Sequence, residues 1–68
     1  DKEIINIKNA KNRISGKVIS AYPPGLPILV PGERISENIL NYIFDLKEKK
    51  ANLQGFIDTE CNYIKVLK

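Results

Sequence analysis

Glu33 is the residue whose type and setting most invite chemistry. It follows Pro31-Gly32, and the nine residues before that pair, Tyr22 to Val30, carry the other three prolines. All four prolines and two of the four glycines fall between Pro23 and Gly32. Proline fixes φ and removes a backbone donor, so Tyr22-Pro23-Pro24 is expected to be extended and stiff. Pro24-Gly25 and Pro31-Gly32 are turn dipeptides, with proline suited to the second turn position and glycine free to take φ > 0. Between them Ile28-Leu29-Val30 is a short apolar run of β-formers, read as one buried strand held between two rigid turns. The second turn places a carboxylate directly at the strand's end. Stiffness of this kind suits a charged group that must be held in one position. On its own, the same residue also reads as a solvated turn carboxylate beside Arg34.

The remaining residue types exclude much other chemistry. There is no histidine, so a Ser/His/Asp triad is impossible. There is no Cys-x-x-Cys pair, Walker loop or dinucleotide-binding glycine pattern. The single cysteine, Cys61, cannot form an internal disulfide, and in its polar surroundings it reads as incidental, reactive only if exposed and deprotonated. Lys47, Lys49 and Lys50 read most simply as a solvated helix end. Pro23 to Pro27 could serve as a polyproline ligand, but such ligands sit in exposed tails, whereas this one is embedded among apolar β-formers.

The string Tyr22-Pro-Pro-Gly-Leu-Pro-Ile-Leu-Val-Pro-Gly-Glu33 resembles the Y-P-P-G-I/V-P-L/I-x-x-P-G-E signature of bacterial-type ornithine/lysine/arginine decarboxylases, near the start of that family's C-terminal domain. Arg13-Ile14-Ser15 resembles the family's G-R-I-S element. Gly55-Phe56 and Ile64-Lys65-Val66-Leu67 resemble its closing segments. Asn12 stands where the family usually has glycine, and Gly16 where it usually has alanine.

The resemblance implies that residues 1–68 are the C-terminal domain of an enzyme that removes the α-carboxylate of lysine, arginine or ornithine as CO2. In that family pyridoxal phosphate is held on a lysine that follows a histidine. This chain has no His-Lys, so the cofactor is expected on a large domain of the parent enzyme, and this chain by itself is expected to be inactive and to bind none. The large domain is the expected partner, and this domain is expected to complete the substrate pocket and to support the subunit contacts of a homodimer or higher homo-oligomer. Glu33 matches the family's Pro-Gly-Glu glutamate, which lies near the substrate side chain. The resemblance therefore implies a substrate-binding role for Glu33 toward the distal ammonium or guanidinium. Tyr22 is a second candidate for the same pocket, although a tyrosine before Pro-Pro reads first as a packing residue. The alternative is a small basic non-enzymatic module that binds RNA, supported by the net charge of +3 and the lysine-rich helix end. The aromatic residues are scattered, which gives no obvious stacking platform.

The elements that must position Glu33 are few. With 68 residues there is room for one domain. A chain this small buries only about 60% of its unfolded surface, so its stability is marginal. Hydrophobic residues make up 43% of it, above the level of a disordered segment. No apolar run approaches the ~20 residues of a membrane span, and the Asp-Lys-Glu start is no signal-peptide core. Together with the lone cysteine, this suggests a reducing, cytoplasmic setting and no membrane partner. The mild charge gives little reason to invoke nucleic acid.

The clearest element is a helix over residues 37–51. Ser36 suits its N-cap, Ile35 and Leu40 have the spacing of a hydrophobic staple, and Asn52 or Gly55 could end it. Ile39, Leu40, Ile43, Phe44 and Leu46 form its apolar face, and Asp45 with Lys49 an i,i+4 ion pair. Residues 1–8 suggest a strand, 9–12 a turn, and 13–19 a short strand or an irregular extended run. Leu53–Ile57 and Tyr63–Leu67 read as the two strands of a hairpin closed by the polar loop 58–62. The expected fold is α+β: a few short strands and one main helix over about 36–51.

Overall fold

A computed structural model describes residues 1–22 and 25–68. The expectation for Pro23 and Pro24 lies outside the described residues. Among the described residues six strands form: β1 (Lys2–Asn6), β2 (Ile14–Ser15), β3 (Ile19–Tyr22), β4 (Pro27–Leu29), β5 (Asn52–Gln54) and β6 (Tyr63–Leu67). One helix, α1 (Glu37–Glu48), lies between β4 and β5, and a 3₁₀ turn (Ile7–Asn9) follows β1. The strands make two antiparallel three-stranded sheets, ordered β1-β6-β2 and β4-β3-β5. This is the small α+β arrangement that the apolar patterning predicts.

The helix starts as the sequence predicts. The Ser36 hydroxyl accepts from the Ile39 N–H at 3.2 Å, satisfying one of the free amides of the first turn. Leu40 and Ile43 are buried, and Ile39 and Phe44 pack against the same core. Asp45 and Lys49 pair at 3.0 Å on the exposed face. The end differs from the expectation. The last helical residue is Glu48, because Lys50 takes a left-handed φ of 59°. Its N–H then donates to the Lys47 carbonyl at 3.0 Å, and the Ala51 N–H donates to the Leu46 carbonyl at 2.9 Å. These are the two bonds of a Schellman cap, made here without glycine.

The helix shares one core with both sheets. Leu40 and Ile43 join Ile64 and Val66 of the first sheet, and Ile19 and Leu29 of the second, together with Ile7, Ala10 and Ile35.

Three expectations about the strands are corrected. The run Ile28-Leu29-Val30 is an edge strand shifted to Pro27–Leu29. Only Leu29 is buried, because successive residues of a strand point to opposite faces, and Val30 is 43% exposed. An edge position also accommodates Pro27, which has no N–H to give a second neighbour. Residues 13–19 hold parts of two strands, one in each sheet. Finally, β5 and β6 do not form a hairpin. β5 pairs with β3, Ser20 opposite Gln54 and Tyr22 opposite Asn52, while β6 lies between β1 and β2. Gly55, at φ 102°, turns the chain against the Val18 carbonyl and out of the β5 line. A single bond, from the Ile57 N–H to the Tyr63 carbonyl at 2.9 Å, joins the two arms.

The connecting loop is held by Asp58. Its Oδ1 accepts from the N–H groups of Asn62 and Tyr63, each at 2.9 Å, and its Oδ2 from Asn62 at 3.1 Å. Desolvation raises the pKa of this carboxyl, but the backbone donors and nearby Lys47 outweigh it and hold the group below its ordinary value. A carboxyl with a lowered folded-state pKa stabilises the fold above its unfolded pKa and loses that contribution as pH falls through the folded value. Asp58→Asn is therefore expected to lower stability at neutral pH and to converge with the parent chain in acid. Urea unfolding midpoints across that range check it, and a gap that stays constant with pH would assign the loop's stability to something else.

Candidate functional site

Glu33 sits where two distant stretches zip together. The Ser15 N–H donates to the Glu33 carbonyl and the Gly32 N–H to the Ser15 carbonyl, both at 2.8 Å. The Ile35 N–H donates to the Arg13 carbonyl at 2.8 Å, and the Asn12 N–H to the Ile35 carbonyl at 2.7 Å. Residues 32–35 thus run antiparallel beside 12–15 and extend the first sheet beyond β2. Ser15 is buried, and its hydroxyl donates to the Lys17 carbonyl at 2.7 Å. The Arg13 guanidinium pairs with Glu3 and reaches the Leu67 carbonyl at 3.4 Å. The Arg13-Ile14-Ser15 element is therefore a brace for the Pro31-Gly32-Glu33 turn.

The turn itself is closed by the Glu33 N–H, which donates to the Val30 carbonyl at 3.1 Å. Gly32 has φ 89°, which the third position of such a turn requires and other residues reach only with strain. The Glu33 side chain is exposed, and its Oε1 accepts from the Val30 N–H at 3.2 Å. One oxygen is thus tied to the turn. Sequence reasoning finds Glu33 but misses Val30 and Ser15 as its supports, because both act through backbone atoms that carry no side-chain signature.

Tyr22 closes β3 and is 59% exposed, with its ring over Gly25 rather than packed inside the domain. An apolar groove of about 500 Å³ opens between β3, β4 and the N-terminal half of α1, lined by Ala21, Leu26, Ile28, Ile39 and Tyr42. On the far side, Lys47 donates to Asn62 at 2.9 Å, and Cys61 is half-buried. Burial and neighbouring Asp58 raise the pKa of its thiol, against the opposing pull of Lys47, so it stays protonated near neutrality. Among the described residues no cluster of side chains could hold a metal ion, and no helix is long and apolar enough to cross a membrane.

Known proteins share both sequence and geometry. A family model described as "Orn/Lys/Arg decarboxylase, C-terminal domain" matches residues 1–65. An arginine decarboxylase of Bacillus subtilis is 39% identical over 66 residues, covering 97% of this chain and 14% of that enzyme. A lysine decarboxylase of Pseudomonas aeruginosa is 39% identical over 57 residues, 79% of this chain and 8% of that enzyme. The solved structure of the Escherichia coli constitutive lysine decarboxylase superposes with a TM-score of 0.79 at 28% identity, covering 98% of this chain and 11% of that one. The chain thus spans only a small part of each of these relatives.

Proposed function

The chain belongs to the family of Orn/Lys/Arg decarboxylase C-terminal domains, and on that premise we propose that its parent protein decarboxylates a basic amino acid whose pocket this domain completes. The observation that carries the reading is the exposed Glu33 carboxylate. It is anchored by Val30 on a turn that is itself zipped to Ser15. A fixed carboxylate recognises the distal cation of lysine, ornithine or arginine, because a charge-assisted bond is about twice as strong as a neutral one. A neutral side chain of equal length would leave the carboxylate unpaired, which makes Glu33 selective as well as attractive. Tyr22, exposed at the end of β3, is a second pocket residue in this reading. The relatives are named for arginine and for lysine, so the domain's fold is common to enzymes of both specificities.

The test is Glu33→Gln in the full-length enzyme. The amide keeps Oε1 as an acceptor for Val30, so the turn should persist while the charge is lost. Loss of a charge-assisted bond of ~2–3 kcal/mol corresponds to roughly a 30- to 150-fold fall in kcat/KM. Discrimination against a neutral analogue should fall in parallel. A value within twofold of the parent enzyme would make Glu33 a turn residue only.

The pyridoxal phosphate that the family implies does not fit the residues present here. None of the nine lysines is buried, and Lys47, one of the more sheltered, is already engaged with Asn62. Ser15 is the one buried polar residue among those described, and its hydroxyl is spent on Lys17. A pyridoxal group needs an enclosed amine and a phosphate cradle, so we assign both to the large domain, while this domain in the same reading supports the subunit contacts of a homodimer or larger assembly. Incubating the 68-residue chain with the cofactor and then borohydride should leave no stable label on lysine. A stoichiometric adduct at one lysine would overturn that assignment.

A further inference from the structure

We propose that Gly32 is a positioning residue: the β-bulge it forms with Glu33 against Ser15 aims the Glu33 carboxylate at the substrate. This rests on the reading that Glu33 binds the substrate's distal cation. Residues 32–35 run antiparallel to 12–15, with Ile14 bridged to Arg34. In a regular ladder the next pair, Ser15 and Glu33, would exchange both backbone bonds. Only one of them is made. The Ser15 N–H donates to the Glu33 carbonyl at 2.8 Å, but the Ser15 carbonyl accepts from the Gly32 N–H, also at 2.8 Å. The Glu33 N–H turns away and donates to the Val30 carbonyl at 3.1 Å. Two residues thus oppose one, with a glycine at φ 89° in the first position, which is the glycine-led form of the β-bulge. Such a bulge bends its strand and re-aims a neighbouring side chain.

Here the re-aimed side chain is Glu33. Its Oε1 accepts from the Val30 N–H at 3.2 Å, so main chain and side chain both fold back onto Val30. The conformation of Pro31-Gly32 therefore sets where the carboxylate lies. Ser15, on the opposing strand, is a firm anchor. It is buried, its hydroxyl donates to the Lys17 carbonyl at 2.7 Å, and the following N–H, of Gly16, donates to the Lys65 carbonyl of β6 at 3.0 Å. Packing gives no reason for a glycine at position 32. A Cβ there meets nothing within 4 Å, whereas at Gly55 it would lie 2.1 Å from a backbone oxygen. What a side chain at 32 opposes is the left-handed φ alone, and with it the bonding pattern of the bulge. Gly32→Ala shifts the turn toward other conformations, and recognition weakens by the fraction of molecules that keep the bulge.

The experiment measures kcat/KM of the full-length enzyme for Gly32→Ala and Gly32→Asn, each alone and combined with Glu33→Gln. A basic amino acid is compared with a neutral analogue of the same length. Gly32→Ala should lower kcat/KM for the basic substrate roughly tenfold, the scale of the left-handed penalty for an L-residue, and leave the neutral analogue unchanged. Gly32→Asn should recover most of that loss, because asparagine enters the left-handed region more readily although it is larger. Once Glu33→Gln is present, Gly32→Ala should add little. The positioning role is overturned by any of four results: no loss in Gly32→Ala, equal losses on both substrates, a Gly32→Asn variant no better than Gly32→Ala, or losses that simply multiply with that of Glu33→Gln. Glu33→Gln alone separates the two readings. If it is silent, the pocket role falls and the positioning role falls with it. If it is damaging but independent of Gly32, the positioning role alone falls.

Discussion

Gly55→Ala is expected to leave most of the chain unfolded, whereas the same change at Gly32 is tolerated. A methyl group on Gly55 would lie 2.1 Å from the Val18 carbonyl oxygen and 3.1 Å from Ile19 Cδ1. The oxygen belongs to the backbone of the residue just before β3, the central strand of its sheet, so it cannot rotate aside. Residue 55 also needs φ 102°, and a left-handed φ alone costs an L-residue about 1–2 kcal/mol. The forced separation of β3 from residues 54–56 adds to that. A domain of this size has roughly 3–10 kcal/mol in total. At Gly32 a methyl group meets nothing within 4 Å, so only the φ cost applies. Each kcal/mol corresponds to about 4–8 °C in a domain this small. Thermal melts followed by circular dichroism compare the two. Equal losses at both positions would show that the approach to Val18 relaxes freely.

Ile43→Ala is expected to cost about 2–5 kcal/mol, the range for truncating a fully buried aliphatic side chain. Ile43 has no exposed surface and lies in the core shared by α1 and both sheets, so the space it leaves cannot be filled from one side alone. Against a total of a few kcal/mol, this change by itself can unfold the domain. A graded series sharpens the test. Ile43→Val should cost ~0.5–1.5 kcal/mol, and Tyr42→Ala, one position along on the exposed side, should change the domain's own melting little. A melting temperature for Ile43→Ala within a degree of the parent would mean that the helix is rotated relative to the core described here.

These stability effects stand apart from the functional ones. Glu33 and Tyr42 are exposed, and the substitutions proposed there leave Ile43 and Gly55 untouched. Activity losses at Glu33 without a change in melting would therefore be assigned to recognition and not to folding.

Local patterns determined a large part of this protein. The apolar spacing from Ile39 to Leu46 and the Ser36 cap specify the helix and its buried face, because both act within a few residues of chain. The Pro31-Gly32 turn and the Glu33 it carries are equally local, since proline and glycine restrict or free the backbone at their own positions. Which strands pair was not local. β1 and β6 join opposite ends of the chain, and residues 12–15 find 32–35 across the whole of β3 and β4. Those pairings are settled by which apolar faces can be buried together, a property of all strands at once. The separation of β5 from β6 depends on Gly55 passing the Val18 carbonyl, a contact that no periodicity in either segment encodes. The helix end at Lys50 carried no residue-type signal, because the left-handed position of its cap is held by a lysine, whose own propensity disfavours it, and not by a glycine. The candidate residue, Glu33, was thus legible as one carboxylate on one turn, while the backbone zipper that fixes its position exists only once the sheets have assembled.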